Sequence, residues 1–198
     1  MKDALILTLI TAVAGLLLGY VHEITLEPIA QQELLTLQES SQEVFEEASS
    51  FIEDAEILED VQAYIESEGH TTTTIDAIYY AYNENDTLLG YVIQVTNNEG
   101  YGGDITFLIG VQRDGTLNGI SFTSIEETAG LGMNADTDDF KSQFVGIQSD
   151  SIAYTKTGAS ADNEIDALSG ATRTTNAVTN GVNAGLCAYR YVEGGQES

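Results

Sequence analysis

The sequence predicts an α+β fold, with an amino-terminal transmembrane helix followed by a domain built on a mainly antiparallel sheet with packed helices. Three observations predict it. An uncharged apolar run fills residues 4–21, the apolar period falls to two between Ile75 and Ile125, and a three-to-four-residue period returns from Thr174 to Val192. No helical pattern interrupts the strand-like stretch, which argues against a doubly wound parallel sheet.

The first run, ALILTLITAVAGLLLGYV, rises ~27 Å as a helix at about 1.5 Å per residue, close to the ~30 Å hydrocarbon core of a bilayer. A cleaved secretory signal is the competing reading, but its apolar core spans only ~7–15 residues and ends at a small-x-small site, which GYVHEI does not offer. An uncleaved single-pass anchor is therefore expected. Lys2 is the only basic side chain before the run, and the first one after it is Arg113. The positive-inside bias puts the amino terminus in the cytoplasm and the domain outside, on the cell (inner) membrane.

Pro28, the only proline, suits the first turn of a new helix or a break just past the membrane. In SQEVFEEASSFIEDAEIL, residues Val44, Phe45, Ala48, Phe51, Ile52 and Ala55 recur at helical spacing with glutamates opposite, which predicts an amphipathic helix packed on a core. Pairing of that face with another protein of a complex is the alternative. Strands follow, with Tyr91, Ile93 and Val95, then Ile105, Phe107, Ile109 and Val111, then Ile120 and Phe122 alternating with their neighbours. The connectors NENDT and RDGT form tight turns cheaply, so adjacent strands are expected as antiparallel hairpins. Residues 126–166 read as loops with one short helix near Asp138–Phe144. In the closing helix, Val178, Val182, Leu186 and Tyr189 make an apolar stripe, while Gly181, Ala184, Gly185 and Ala188 allow close approach to a sheet or ligand. The chain thus divides into an anchor over 1–25, a helical connecting segment over 26–72 and a folded domain over 73–198.

Composition excludes several functions. The 198 residues suffice for one domain beside the anchor. With 32 acidic against 6 basic side chains, the net charge of -26 repels nucleic acid and gives no basic patch for lying flat on anionic lipid. One cysteine, Cys187, allows no intrachain disulfide and no thiolate cluster from this chain alone. His22 and His70 stand far apart without metal-ligand spacing, so no metal is expected.

Just before the closing helix stands Asp166-Ala167-Leu168-Ser169-Gly170-Ala171-Thr172-Arg173-Thr174-Thr175. A hydroxyl-rich, glycine-containing loop entering a helix presents unpaired N–H groups at the positive end of the helix dipole, which suits a phosphate. Capping of the helix by Ser169, Thr172 or Thr174 is the simpler alternative. Arg173 opposes the dipole by typically ~0.3–1 kcal/mol, in a chain with few cations to place. A local anion would account for it, as would a side chain pointing to solvent or toward Asp166.

DALSGATRTT resembles the flavinylation motif of the RnfG family of Rnf electron-transport complexes and of the similar NqrC proteins of the sodium-pumping NADH:quinone oxidoreductase. The resemblance implies FMN bound covalently to Thr172 through a phosphoester that a separate flavin transferase installs, with Asp166 part of the recognition sequence. Two further motifs support it in the right order. Gly100-Tyr101-Gly102-Gly103-Asp104-Ile105 resembles the family's glycine-rich turn, and Glu127-Thr128-Ala129-Gly130-Leu131-Gly132 its ETPGLG loop over the isoalloxazine. Ala129 replaces the usual proline, which predicts a less rigid loop. Among these residues, Thr172, Asp166, Ser169, Gly170, Ala171, Arg173, Tyr101, Gly102, Glu127, Thr128, Leu131 and Gly132 are the candidate cofactor-binding set; none is assigned a catalytic role. Tyr101 and Leu131 are the candidates for apolar contact with the ring.

The resemblance implies that the chain is an electron-transfer subunit of a membrane-bound, ion-translocating ferredoxin:NAD+ oxidoreductase, with the other subunits of an Rnf-type complex as partners. The resemblance implies a redox subunit without independent turnover. The rival readings are an extracytoplasmic FMN reductase or electron carrier of another pathway, and a non-redox surface module that binds a polycationic or cell-wall ligand.

Overall fold

The structure, a computed structural model, describes residues 2–196, with side chains described at 6–22 and 35–194. The chain divides into two compact units, residues 1–38 and 39–198. Its elements in order are α1 (Lys2–Val44), β1 (Ser50–Glu53), α2 (Leu58–Ser67), β2 (Thr73–Tyr82), β3 (Leu88–Asn97), β4 (Ile105–Gln112), β5 (Leu117–Ile125), α3 (Asp138–Lys141), β6 (Ala153–Thr155), β7 (Glu164–Asp166) and α4 (Thr172–Gln196).

The first unit is helical along its described backbone. Among the described residues no helix is long and apolar enough to cross a membrane. Ala4 and Leu5, which begin the predicted anchor run 4–21, have side chains outside the described residues. From Ile6 to Val21 the large apolar side chains are exposed, Leu16 at 75% and Leu18 at 72%. The backbone passes through Pro28 as part of α1, so the predicted break there does not occur. Strong helix formers on both sides carry the helix through the one lost hydrogen bond.

The second unit is an α+β domain. Its five-stranded sheet runs in the order β1-β2-β3-β4-β5, every pairing antiparallel. The two predicted turns close the β2–β3 and β4–β5 hairpins. Asn83 Oδ1 accepts from the N–H groups of Asn85 and Thr87, and Gly115 takes a φ of +85° that a side chain would resist. Residues 126–166 are loop-rich, as expected, and the short helix forms at Asp138–Lys141 with a 3₁₀ turn over Ser142–Phe144.

The helix expected over SQEVFEEASSFIEDAEIL is a correction. α1 ends at Val44, and Ser50–Glu53 instead pairs with Tyr79–Tyr82 as an edge strand. Val44, Phe45 and Ala48 are buried, but Ile52 is 57% exposed, so the apolar spacing continued beyond the helix by coincidence. An open strand edge at β2 was the stronger attraction for this segment. α2 follows with Val61 and Ile65 fully buried, an i, i+4 pair just beyond the predicted helix stretch.

α4 lies across one face of the sheet. A Cβ at Gly181 would fall 2.6 Å from Phe107 Cζ, and one at Gly185 2.3 Å from Ile109 Cδ1. The small-residue positions thus serve approach to the sheet, and the core gathers around Ile93, Val95, Phe107, Ile109, Val178, Val182 and Leu186. The other face is also covered. At Gly110 a Cβ would meet Val44 Cβ at 2.9 Å, and at Gly90 Phe45 Cζ at 2.7 Å, so the last turn of α1 seats in a glycine depression. Both faces being covered explains why Val92 and Leu108 are buried as fully as Ile93 and Ile109.

Candidate functional site

Three chain segments meet at the amino end of α4. The first is the β3–β4 connection. Asn97, buried at the end of β3, donates from Nδ2 to Thr73 Oγ1 (2.9 Å) and accepts at Oδ1 from the Glu99 N–H (2.9 Å). Glu99 Oε2 accepts from Thr72 Oγ1 (3.0 Å) and Asn180 Nδ2 (2.6 Å), which ties the loop to β2 and to α4. The loop then presents Tyr101, 69% exposed.

The second segment leaves β5. Glu127 Oε1 accepts from the Tyr101 N–H at 2.7 Å, and a Cβ at Gly102 would lie 1.8 Å from the Glu126 carbonyl oxygen, so the two loops run in direct backbone contact. The turn that follows is held without a proline at 129. Thr128 O accepts from the N–H groups of Leu131 (3.1 Å) and Met133 (3.2 Å), Asn134 Nδ2 donates to Gly130 O (3.2 Å), and Gly130 sits at φ +74°. These bonds define the turn's backbone at Thr128–Asn134.

The third segment enters α4. Ala171 N donates to Leu168 O, Gly170 takes φ +75°, and the helix begins at Thr172. The side chain that closes this loop is Thr175. Its Oγ1 accepts from Leu168 N (3.1 Å) and donates to Ala171 O (3.0 Å). Thr172 is exposed at the first helical position, and among the described residues no hydrogen bond engages its hydroxyl.

Between these segments lies a mostly apolar cleft of about 500 Å³, within the range of small-ligand sites. Tyr101 comes from the first segment, Glu127, Thr128, Leu131 and Gly132 from the second, and Gly170, Ala171, Thr172 and Arg173 from the third. Nine of the twelve residues singled out from the sequence therefore line one cavity, although Tyr101 and Thr172 are 71 positions apart along the chain. The remaining three stand outside its lining. Gly102 lies behind the rim against Glu126, Ser169 is exposed on the loop, and Asp166 is exposed at the end of β7, where Oδ1 accepts from Ala159 N (2.7 Å).

Arg173 NH2 donates to Glu99 O at 3.3 Å. It points neither free into solvent nor toward Asp166, but pins the Tyr101 loop to the helix start. The cleft also contains a residue outside the set. Thr174, 1% exposed, lines it, and its Oγ1 lies 2.7 Å from where a Gly132 Cβ would be. Its place two positions after Thr172 was visible in the hydroxyl-rich string; the Glu99–Asn180 bond, 81 residues apart, had no sequence signal.

The model of the FMN-binding domain family matches residues 100–186. The G subunit of the Na+-translocating ferredoxin:NAD+ oxidoreductase complex of Acetobacterium woodii is 30% identical over 191 residues, which cover 96% of this chain and 91% of that protein. The G subunit of the proton-translocating ferredoxin:NAD+ oxidoreductase complex of Clostridium ljungdahlii is 30% identical over 176 residues, covering 89% and 84%. In fold alone, the domain is similar to NqrC of Shewanella oneidensis, with a TM-score of 0.52 at 19% identity over 61% of this chain and 59% of that one. Relatives at this identity across nearly the whole chain place the protein in the RnfG family.

Proposed function

We propose that the chain is the electron-transfer subunit of a membrane-bound ion-translocating ferredoxin:NAD+ oxidoreductase, carrying FMN in a phosphoester to Thr172. The observation that carries this reading is the convergence of three distant motifs on one cleft, with a free hydroxyl at its edge and a helix amino terminus behind it. The residues present fit the group. Leu131, Ala171 and the Tyr101 ring offer apolar surface for a flat heterocycle, and the first N–H groups of α4 would be available to hold its phosphate. Arg173, already held by Glu99 O, has further guanidinium donors for the same anion. When bound, FMN supplies one- and two-electron transfer.

The chain's own contribution is to hold and orient. Gly170 at φ +75° turns the loop so that Thr172 opens the helix, and Leu131 Cδ2 closes over that turn, 3.0 Å from where a Gly170 Cβ would be. A tether to a hydroxyl suits a relay between fixed neighbours, namely the other subunits of an Rnf-type complex, with a flavin transferase needed once during maturation. The bare apolar surface from Ile6 to Val21 supports a single membrane-spanning helix, since apolar side chains exposed all round a helix favour lipid. The positive-inside bias then sets the amino terminus in the cytoplasm and the cleft outside.

Expression beside a flavin transferase tests the attachment. The denatured wild-type chain should fluoresce in a gel as a flavoprotein, and Thr172→Ala should be dark. Equal fluorescence from the variant would remove Thr172 from the mechanism.

A further inference from the structure

We propose that the Glu127 carboxylate sets the reduction potential of the flavin in this cleft, holding it below the value that an uncharged side chain would give; the inference rests on the reading above. Glu127 is half-buried in a mostly apolar cavity, where a charge acts more strongly than it does in water. It is also fixed in place. Oε1 accepts from the Tyr101 N–H at 2.7 Å, so the group cannot swing out to solvent without giving up that bond. Oε2 lies over the bare Cα of Gly132, 2.7 Å from where a Cβ would be, beside the buried Thr174 hydroxyl.

No ion pair among the described residues engages it. Arg113 pairs with Glu193, Lys141 pairs with Glu43 and Asp136, and Arg173, the cation of this cleft, donates to the Glu99 carbonyl. Electrons added to a ring beside a fixed negative charge meet more repulsion than beside a neutral side chain, which lowers the potential. Gly132 has a part in this, because any side chain there would push the carboxylate aside.

The test uses the full-length protein loaded in a host that contains a flavin transferase. In-gel fluorescence first reports whether flavin is attached; a dark wild type defeats the functional reading and, with it, this proposal. Spectroelectrochemical titration then compares the wild type with Glu127→Gln, which keeps an acceptor for the Tyr101 N–H, and with Glu127→Asp, which keeps the charge. Glu127→Gln should move the two-electron equilibrium toward the reduced form by tenfold or more, about 30 mV upward, while Glu127→Asp stays nearer the wild type. If Glu127→Gln does not load, Glu127→Ala should show the same rise. An unchanged or lower potential in the neutral variants overturns the proposal, as does failure of both to load when the wild type does, which would assign Glu127 to loading alone.

Discussion

Glu99 does the most to hold the cleft together without lining it. Its carbonyl takes Arg173 and its carboxylate takes Asn180 and Thr72, so one residue binds the Tyr101 loop to the start and the third turn of α4. On the other side, backbone contact at Gly102 seals that loop to the exit of β5. Gly102→Ala would force a Cβ to within 1.8 Å of the Glu126 carbonyl, which neither backbone can yield cheaply. The loops should part, the Tyr101–Glu127 bond should be lost, and flavin content should fall with a stability cost of about 1–3 kcal/mol, read by absorbance per chain and by chemical unfolding.

A second residue-scale consequence concerns pH. Burial works to raise the Glu43 carboxyl, but hydrogen bonds from Lys141 (2.7 Å) and Ser121 (2.5 Å) outweigh it and leave it below its ordinary value. A depressed carboxyl stabilises the fold above its ordinary range and loses that contribution as pH falls through the lowered value. Lys141 is raised, so its share is lost only at strongly alkaline pH. Glu43→Gln should therefore cost up to about 1 kcal/mol at neutral pH, and the gap from the wild type should close as pH falls below the ordinary carboxylate range. A gap that persists unchanged at low pH would show that the ion pair is not its source.

At the scale of elements, α4 carries both the packing and the site. Its glycines let the sheet approach, and that approach fixes where the first helical turn, with Thr172 and Thr174, stands against the Glu127 loop. Gly185→Val would drive a branched side chain into Ile109 Cδ1, at 2.3 Å from the new Cβ. Overpacking of this kind should cost about 1–3 kcal/mol in unfolding experiments and lower flavin content by displacing the helix start. Period-two and period-3.6 patterns made β2 to β5 and α4 legible in the sequence, because each is long and has one strongly apolar face. The edge strand β1 was not legible. Its four residues are held by pairing with β2, a tertiary effect that local spacing at Phe51 and Ile52 contradicts. Of the cleft, the glycine and hydroxyl strings were readable as motifs, whereas Asn97, Glu99 and Asn180 act through bonds between residues 24 to 81 positions apart.

At the scale of the whole molecule, one helix with bare apolar side chains precedes an acidic domain whose only sizeable, mostly apolar cleft among the described cavities is the one beside Thr172. A chain lacking residues 1–22 should leave the membrane fraction as a soluble domain, while the full-length chain should resist an alkaline wash; release of both by the wash would remove the anchor from the account. Everything proposed for the cleft turns on a bond between Thr172 and a flavin phosphate. Intact mass followed by peptide mapping of full-length protein from a host with a flavin transferase tests it most directly. One FMN per chain on the peptide that contains Thr172 is expected; an unmodified peptide, or flavin on another residue, would refute the attachment.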